Sequence, residues 1–287
     1  MQNTPFTTLI SAAELAPHVA SPNWVILDCR HDLANHALGL ESYRAGHLPQ
    51  ARFAAIETDL SDKSPAANGQ FRGRHPLPTR EAFIATLQSW GINPSTQVVA
   101  YDAHGGMFAA RLWWMLRWVG HAAVAVLDGG LPAWQAQGGA LSTADVVSAE
   151  GTIVAKPALV ETVDVAAVLA NVTNGTRTVI DARAADRFRG ENETMDPVGG
   201  HIPGARQHFF KDNLQADGCF KPAADLRAVY STLVPQPERS IFHCGSGVTA
   251  CHNLLALEIA GLPGAALYPG SWSEWCADAS RPVARGD

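Results

Sequence analysis

Short apolar runs recur along the chain, and most end in a polar residue. Val25-Ile26-Leu27 precedes Asp28, Val98-Val99-Ala100-Tyr101 precedes Asp102, Val179-Ile180 precedes Asp181, and Ile241-Phe242 precedes His243-Cys244. Ala265-Ala266-Leu267-Tyr268 is a fifth run. Each is too short for a helix and rich in residues that suit buried strands. Between them lie stretches with helical spacing. Phe108–Val119 carries Leu112, Met115 and Leu116; Ala250–Ala260 carries Leu254, Leu255, Leu257 and Ile259. Strands alternating with helices predict an α/β fold with a mostly parallel sheet and helices on both faces. Trp113, Trp114 and Trp118 fall within the first helical stretch and are expected in the core.

The pattern occurs twice. Val25-Ile26-Leu27-Asp28-Cys29-Arg30 recurs as Val179-Ile180-Asp181-Ala182-Arg183. Gly46-His47-Leu48-Pro49-Gln50-Ala51 recurs as Gly200-His201-Ile202-Pro203-Gly204-Ala205. The run ending at Asp102 matches the run ending at Cys244, and Leu127-Asp128-Gly129-Gly130 with Trp134 matches Tyr268-Pro269-Gly270-Ser271 with Trp275. Order is preserved, so the chain is a tandem duplication. The boundaries expected are a first domain over residues 8–141, a linker over 142–156 and a second domain over 157–287. In parallel sheets ligands bind beyond the carboxyl ends of the strands. Asp102 and Cys244 both stand there, which suggests that the first copy is inert and the second carries chemistry.

The segment after Cys244 reads Gly245-Ser246-Gly247-Val248-Thr249-Ala250. A thiol at a strand end, a tight loop and a helix start give inward-pointing N–H groups and a favourable dipole for an anion, which a thiolate is. A dinucleotide fingerprint fits the glycines, but no acid follows the next apolar run. A phosphatase loop needs an arginine where Ala250 stands. A metal site from His243, Cys244, Cys251 and His252 fails on spacing. A buried structural cysteine and a sulfur-transfer loop, whose amides hold a persulfide, are the readings that stay open.

Composition narrows the setting. The 287 residues provide for two ordinary domains, with 47% apolar and 17% charged residues and a net charge of −6. No nucleic-acid or membrane partner is expected, and no apolar run suffices to span a bilayer. The start Met1-Gln2-Asn3-Thr4-Pro5-Phe6 does not read as a signal peptide, and five scattered cysteines suit a reducing compartment, so the cytoplasm is expected.

Taken together, the duplicated Asp-x-Arg and Gly-His-x-Pro motifs, the Cys244 loop and Gly270-Ser271-Trp272-Ser273-Glu274-Trp275 resemble the tandem-domain rhodanese superfamily, and within it the 3-mercaptopyruvate sulfurtransferase branch. The resemblance implies two tandem rhodanese-like domains and an enzyme without metal or organic cofactor. Cys244 takes sulfur from a small-molecule donor, mercaptopyruvate or thiosulfate, and passes it to a thiol acceptor such as thioredoxin, or to cyanide. A persulfide carrier serving a partner protein is the alternative of another class. Ser246 corresponds to a catalytic serine of that branch and His47 to its histidine partner, with Asp32 or Glu41 as the acid. Arg187 matches a substrate-binding arginine, and Gly245, Gly247, Val248, Thr249 and Trp272 are expected to line the site.

The neutral loop favours a singly charged α-keto acid over a dianion. Two departures stand out. Relatives carry a second arginine where this chain has Glu193-Thr194-Met195-Asp196-Pro197, and Pro269 replaces an acid. Arg189, Arg72 or Arg74 is a candidate substitute for that arginine. The Pro- and Gly-rich stretch 61–78, containing Arg72, Arg74 and His75, reads as a solvated surface loop.

Overall fold

The apolar runs become strands in a computed structural model that describes residues 4–66 and 69–287. The strands are β1 (Leu9–Ile10), β2 (Trp24–Asp28), β3 (Ala51–Phe53), β4 (Gln97–Tyr101), β5 (Val124–Leu127), β6 (Glu161–Thr162), β7 (Thr178–Asp181), β8 (Arg206–Gln207), β9 (Ser240–His243) and β10 (Ala266–Leu267). They form two five-stranded parallel sheets, in the orders β1-β5-β4-β2-β3 and β6-β10-β9-β7-β8. The crossover helices around the first sheet are α1 (Ala12–Leu15), α2 (Ala37–Ala45), α3 (Arg80–Ser89), α4 (Ala109–Trp118) and α5 (Gly130–Ala136). Those around the second are α6 (Val165–Asn174), α7 (Ala185–Arg189), α8 (Ala223–Leu233), α9 (Ala250–Ile259) and α10 (Ser271–Trp275).

Local chemistry sets several helix starts. Ser11 and Glu14 form a capping box on α1, Thr79 caps α3 through the Ala82 N–H, and Asp164 caps α6 through the Ala167 N–H. The central strands β4 and β9 are buried at every position, as strands covered on both faces must be. Ile26, Val99 and Leu127 join Trp134 in the first core; Val179, Ile241 and Tyr268 join Trp272 and Trp275 in the second. Trp113 and Trp114 are fully buried, while Trp118 is half-buried and stacks on Trp114. Among the described residues no helix is long and apolar enough to cross a membrane.

Two compact units result. Among the described residues, one contains 4–62, 78–159 and 214–220; the other contains 63–66, 69–77, 160–213 and 221–287. The stretch 142–156, expected as a linker, is bonded along the first unit: Ser142 bridges His47, and the Gly151 and Ile153 amides donate to Gln88 and Ile92 carbonyls. Of the stretch 61–78, expected as a solvated loop, residues 63–66 and 69–77 group with the second unit.

One device appears in both copies. Asp28, at the end of β2, takes the Arg30 guanidinium with two bonds to Oδ2 at 2.9 and 2.6 Å, and Arg30 Nη2 also donates to the Gly46 carbonyl at 2.7 Å. Asp181, Arg183 and Gly200 repeat this at 3.0, 2.7 and 2.7 Å. The fork ties the strand's end to the turn that follows the next helix. Burial alone would push the Asp181 carboxyl up, but Arg183 and then His243 outweigh it and hold it at about 2. A carboxyl with a lowered value stabilises the fold above its unfolded value of 3.8, and that contribution fades as pH falls toward 2.

Arg183→Met would leave the buried Asp181 carboxylate without its guanidinium partner, with only the residue-183 N–H and, at 3.6 Å, His243 beside it. We expect a loss of about 3–5 kcal/mol in urea unfolding at pH 7. The gap between variant and wild type should narrow as pH falls below 4, because the variant's Asp181 protonates more readily. A pH-independent gap would contradict the assignment.

Candidate active site

The second sheet reverses its winding between β7 and β9: β8 lies beyond β7 on one side, and β9 and β10 follow on the other. Such a switch point opens a crevice at the carboxyl ends of the strands. Cys244 immediately follows β9 there, and α9 begins at Ala250. The intervening loop turns back over the thiol, so that the Gly247 N–H donates to Cys244 Sγ at 3.2 Å. Gly247 has φ +80°, and a Cβ on it would lie 2.3 Å from the Pro269 carbonyl oxygen. Only glycine meets both demands.

A second loop holds the first. The Trp272 N–H donates to the Cys244 carbonyl at 3.0 Å, and the Ser273 N–H to that of Gly245 at 2.9 Å. Ser271 Oγ accepts from the Cys244 N–H at 3.2 Å and donates to the Tyr268 carbonyl at 3.0 Å. Onto this pair of loops comes the segment Gly73-Arg74-His75. Gly73, at φ +94°, approaches so closely that a Cβ would lie 2.6 Å from the Gly270 oxygen. The Arg74 N–H donates to Ser273 Oγ at 3.1 Å. His75 Nδ1 then sits 2.8 Å from Ser246 Oγ, with both residues buried.

Charge gathers beside Gly245. A Cβ there would lie 2.9 Å from Arg74 Nη2 and 3.6 Å from Arg187 Nη2. Arg187 forks Glu193 at 3.0 and 2.8 Å and reaches Asp196 at 3.4 Å. Arg74 pairs with Asp196, and Arg183 with Glu193. Burial pushes the Glu193 carboxyl up, but the Arg187 and Met195 N–H bonds and the Arg187 and Arg183 charges outweigh it, and the net direction is down. Asp196 moves up, driven by burial and the Glu193 charge against Arg74 and Arg187. The acids lie behind the guanidinium groups: both carboxylate side chains are 3% exposed, while Arg74 and Arg187 are 25% and 20% exposed. An arriving anion meets the arginines first.

The first repeat shows what this loop architecture holds. Asp102, the counterpart of Cys244, puts its carboxylate into the turn. Oδ1 accepts from the His104 and Gly106 N–H groups at 2.7 and 3.0 Å, and Oδ2 from those of Phe108 and Ala109 at 2.7 and 3.0 Å. Four backbone donors converge on one anion at a helix start.

The Rhodanese-like domain model matches residues 11–137 and 164–278. The chain belongs to the rhodanese-like family. A Pseudomonas aeruginosa protein named a probable 3-mercaptopyruvate sulfurtransferase is 45% identical over 282 residues, covering 97% of this chain and 98% of its own. A Mycobacterium tuberculosis protein provisionally named a thiosulfate sulfurtransferase is 41% identical over 281 residues, covering 97% of each. The solved 3-mercaptopyruvate sulfurtransferase from Leishmania major superposes with a TM-score of 0.84 at 31% identity, over 96% of this chain and 76% of its own.

Within this rhodanese-like site several expected residues fall together and others do not. Cys244, Gly245, Ser246, Gly247 and Arg187 converge as anticipated. Val248 is buried under the turn, and Thr249 stands at the head of α9 without a side-chain capping bond. Trp272, expected as a wall of the site, is fully buried; its Nε1–H donates to the Val198 carbonyl at 2.8 Å, and its ring lies 4.6 Å from the Arg183 guanidinium carbon. It supports the Asp181–Arg183 fork from below.

His47 is not the histidine beside Ser246. Its Nδ1 meets the Tyr43 carbonyl at 2.8 Å, its Nε2 the Ala144 carbonyl at 3.2 Å, and its ring stacks on Tyr43. His201 copies the arrangement, with Nδ1 at 2.9 Å from the Phe188 carbonyl and its ring on Phe188. The twins are turn anchors. His75 takes the place assigned to His47, which leaves Asp32 and Glu41 without a role as its acid. Arg189 pairs with Glu191 at the surface and Arg72 donates to the Ser64 carbonyl, whereas Arg74 lies with Arg187 beside Gly245. Arg74 is one of the candidates for the second arginine; His75, Glu193 and Asp196 were not expected at the site. The available signal was Gly73-Arg74-His75-Pro76, where glycine and proline enclose two side chains that reach the Cys244 loop.

The glycines make a direct check. Gly247→Ala forces a side chain into a left-handed conformation against a carbonyl and should lower stability by about 1–3 kcal/mol in urea unfolding. Gly245→Ala meets only the end of Arg74 and should cost much less. The reverse order would contradict the loop geometry.

Proposed function

We propose that the protein is a 3-mercaptopyruvate sulfurtransferase that works through a persulfide on Cys244. The observation that carries this reading is the convergence of Cys244 Sγ, the Ser246–His75 pair and the Arg74–Arg187 pair around one loop. The thiolate attacks the donor's sulfur. An S–S bond forms, the donor's C–S bond breaks, and its electron pair passes to carbon as pyruvate enolate. The proton that began on the donor's sulfur ends on that carbon, giving pyruvate and a Cys244 persulfide anion. In this reading Ser246 and His75 carry this proton, and the guanidinium groups hold the donor's carboxylate. A thiolate acceptor, such as that of thioredoxin, or cyanide then takes the outer sulfur and regenerates the thiolate.

The charge balance supports mercaptopyruvate over thiosulfate. Two arginines face two acids, and no lysine or arginine lies in the loop itself, so a monoanion suits the site better than a dianion. Sulfite, the leaving group of thiosulfate, departs without needing a proton and would leave Ser246–His75 idle. No disulfide joins the five cysteines, which fits a reducing compartment such as the cytoplasm.

Steady-state kinetics with cyanide as acceptor test the proposal. kcat/KM for mercaptopyruvate should exceed that for thiosulfate, and Cys244→Ser should abolish transfer from both. Arg187→Ala should lose roughly ten- to a hundredfold in kcat/KM for mercaptopyruvate, the worth of a charge-assisted hydrogen bond. His75→Ala should depress transfer from mercaptopyruvate far more than transfer from thiosulfate. Thiosulfate preference in the wild type, or equal losses with both donors in His75→Ala, would refute the donor assignment.

A further inference from the structure

A second cluster of chemical groups lies in the first unit, outside the Cys244 site. His31 follows the end of β2, His36 stands at the head of α2, and Glu57 lies four residues beyond β3. The topology brings all three to the carboxyl end of the first sheet, where a parallel α/β fold presents ligands. Their donor atoms lie within 4.8 Å of one another, the one such group of three among the described residues.

The spacing is informative. His31 Nε2 is 3.5 Å from Glu57 Oε1, and His36 Nε2 is 3.7 Å from the same oxygen. Both distances exceed the usual range of an N–H···O hydrogen bond. They match the edge of a tetrahedron instead: zinc bonded at about 2.0–2.1 Å to nitrogen and oxygen sets its ligand atoms about 3.4 Å apart. Two edges are therefore nearly formed. The third closes by rotating His36, whose side chain is 54% exposed. The other two ligands are held more firmly, with side chains 4% and 15% exposed. Phe108 packs edge-on against the His31 ring, with centroids 5.2 Å apart, and fixes its plane.

The ligand chemistry fits one class of ion. Two imidazoles and a carboxylate suit a borderline divalent cation, and three protein ligands leave a fourth position for water. The second repeat does not copy the set: at the 153-residue spacing that relates Asp28 to Asp181, His31 corresponds to Ala184. The cluster belongs to the copy that carries Asp102, and it shares no residue with the sulfur-transfer site.

We propose that His31, His36 and Glu57 form a zinc-binding site in the first rhodanese-like unit. The metal clips the β2–α2 connection to the segment after β3, with water in the fourth position. It takes no part in the reaction at Cys244.

Titration of the chelator-treated full-length protein with zinc chloride, followed by calorimetry, tests this. One equivalent should bind to the wild type, and zinc should raise the melting temperature. His36→Ala removes an exposed side chain and should fold normally, and it should weaken binding by at least about tenfold, as should Glu57→Gln. Cys244→Ser should bind zinc as the wild type does. Cobalt substituted for zinc should give the visible absorption of a tetrahedral site, lost in His36→Ala. Absence of stoichiometric binding, binding unchanged by His36→Ala, or binding lost in Cys244→Ser would each overturn the proposal.

Discussion

Backbone N–H groups converging on an anion at the end of a central strand are the constraint on which this protein rests. In the first repeat the anion is visible: the Asp102 carboxylate accepts four such bonds. In the second repeat the same turn surrounds Cys244, and the Gly247 N–H already points at Sγ. One copy fills the cradle permanently with a side chain. The other holds a thiol there, and in the proposed function the anion is the sulfur that this thiol carries. Duplication has thus kept the electrostatics and changed the occupant.

A cradle is useful only if it stays rigid, because dipoles that must reorganise lose their effect. Rigidity comes from layers of support. The Cys244 loop is hydrogen-bonded to the Tyr268–Ser273 loop, and the Gly73–His75 segment is seated on both. Beneath them, Trp272 packs against Arg183, which is forked to Asp181 at the end of the neighbouring strand. Close approach of three backbones explains why glycine stands at positions 73 and 247. The buried ion pair anchors Glu193 through Arg183, and Glu193 in turn orients Arg187.

Much of this was legible in the sequence, and the reason is local. Strand runs, helical spacing, the repeat, and the thiol with its glycines lie in continuous segments, so periodicity and motif exposed them. The repeat also matched Trp134 with Trp275, and both are core residues. The errors arose where tertiary placement decides. His47 sits in a motif that is present twice, and the structure shows both copies as anchors; His75 has no twin and lies in a stretch whose composition reads as solvent-exposed. Trp272 follows an expected site loop, yet its ring is buried and its Nε1–H donates to the Val198 carbonyl. Arg74 is 170 residues from Cys244 in the chain, and no local pattern encodes that approach.

In the proposed function the turn after β9 holds sulfur as an anion on Cys244, as the turn after β4 holds the carboxylate of Asp102. A crystal structure of the protein after incubation with mercaptopyruvate, without acceptor, tests it most directly. A second sulfur should be bonded to Cys244 Sγ and accept several loop N–H bonds, in a position that superposes on the Asp102 carboxylate when the two repeats are aligned. A second sulfur on another cysteine, or one on Cys244 that points away from the loop amides, would contradict it.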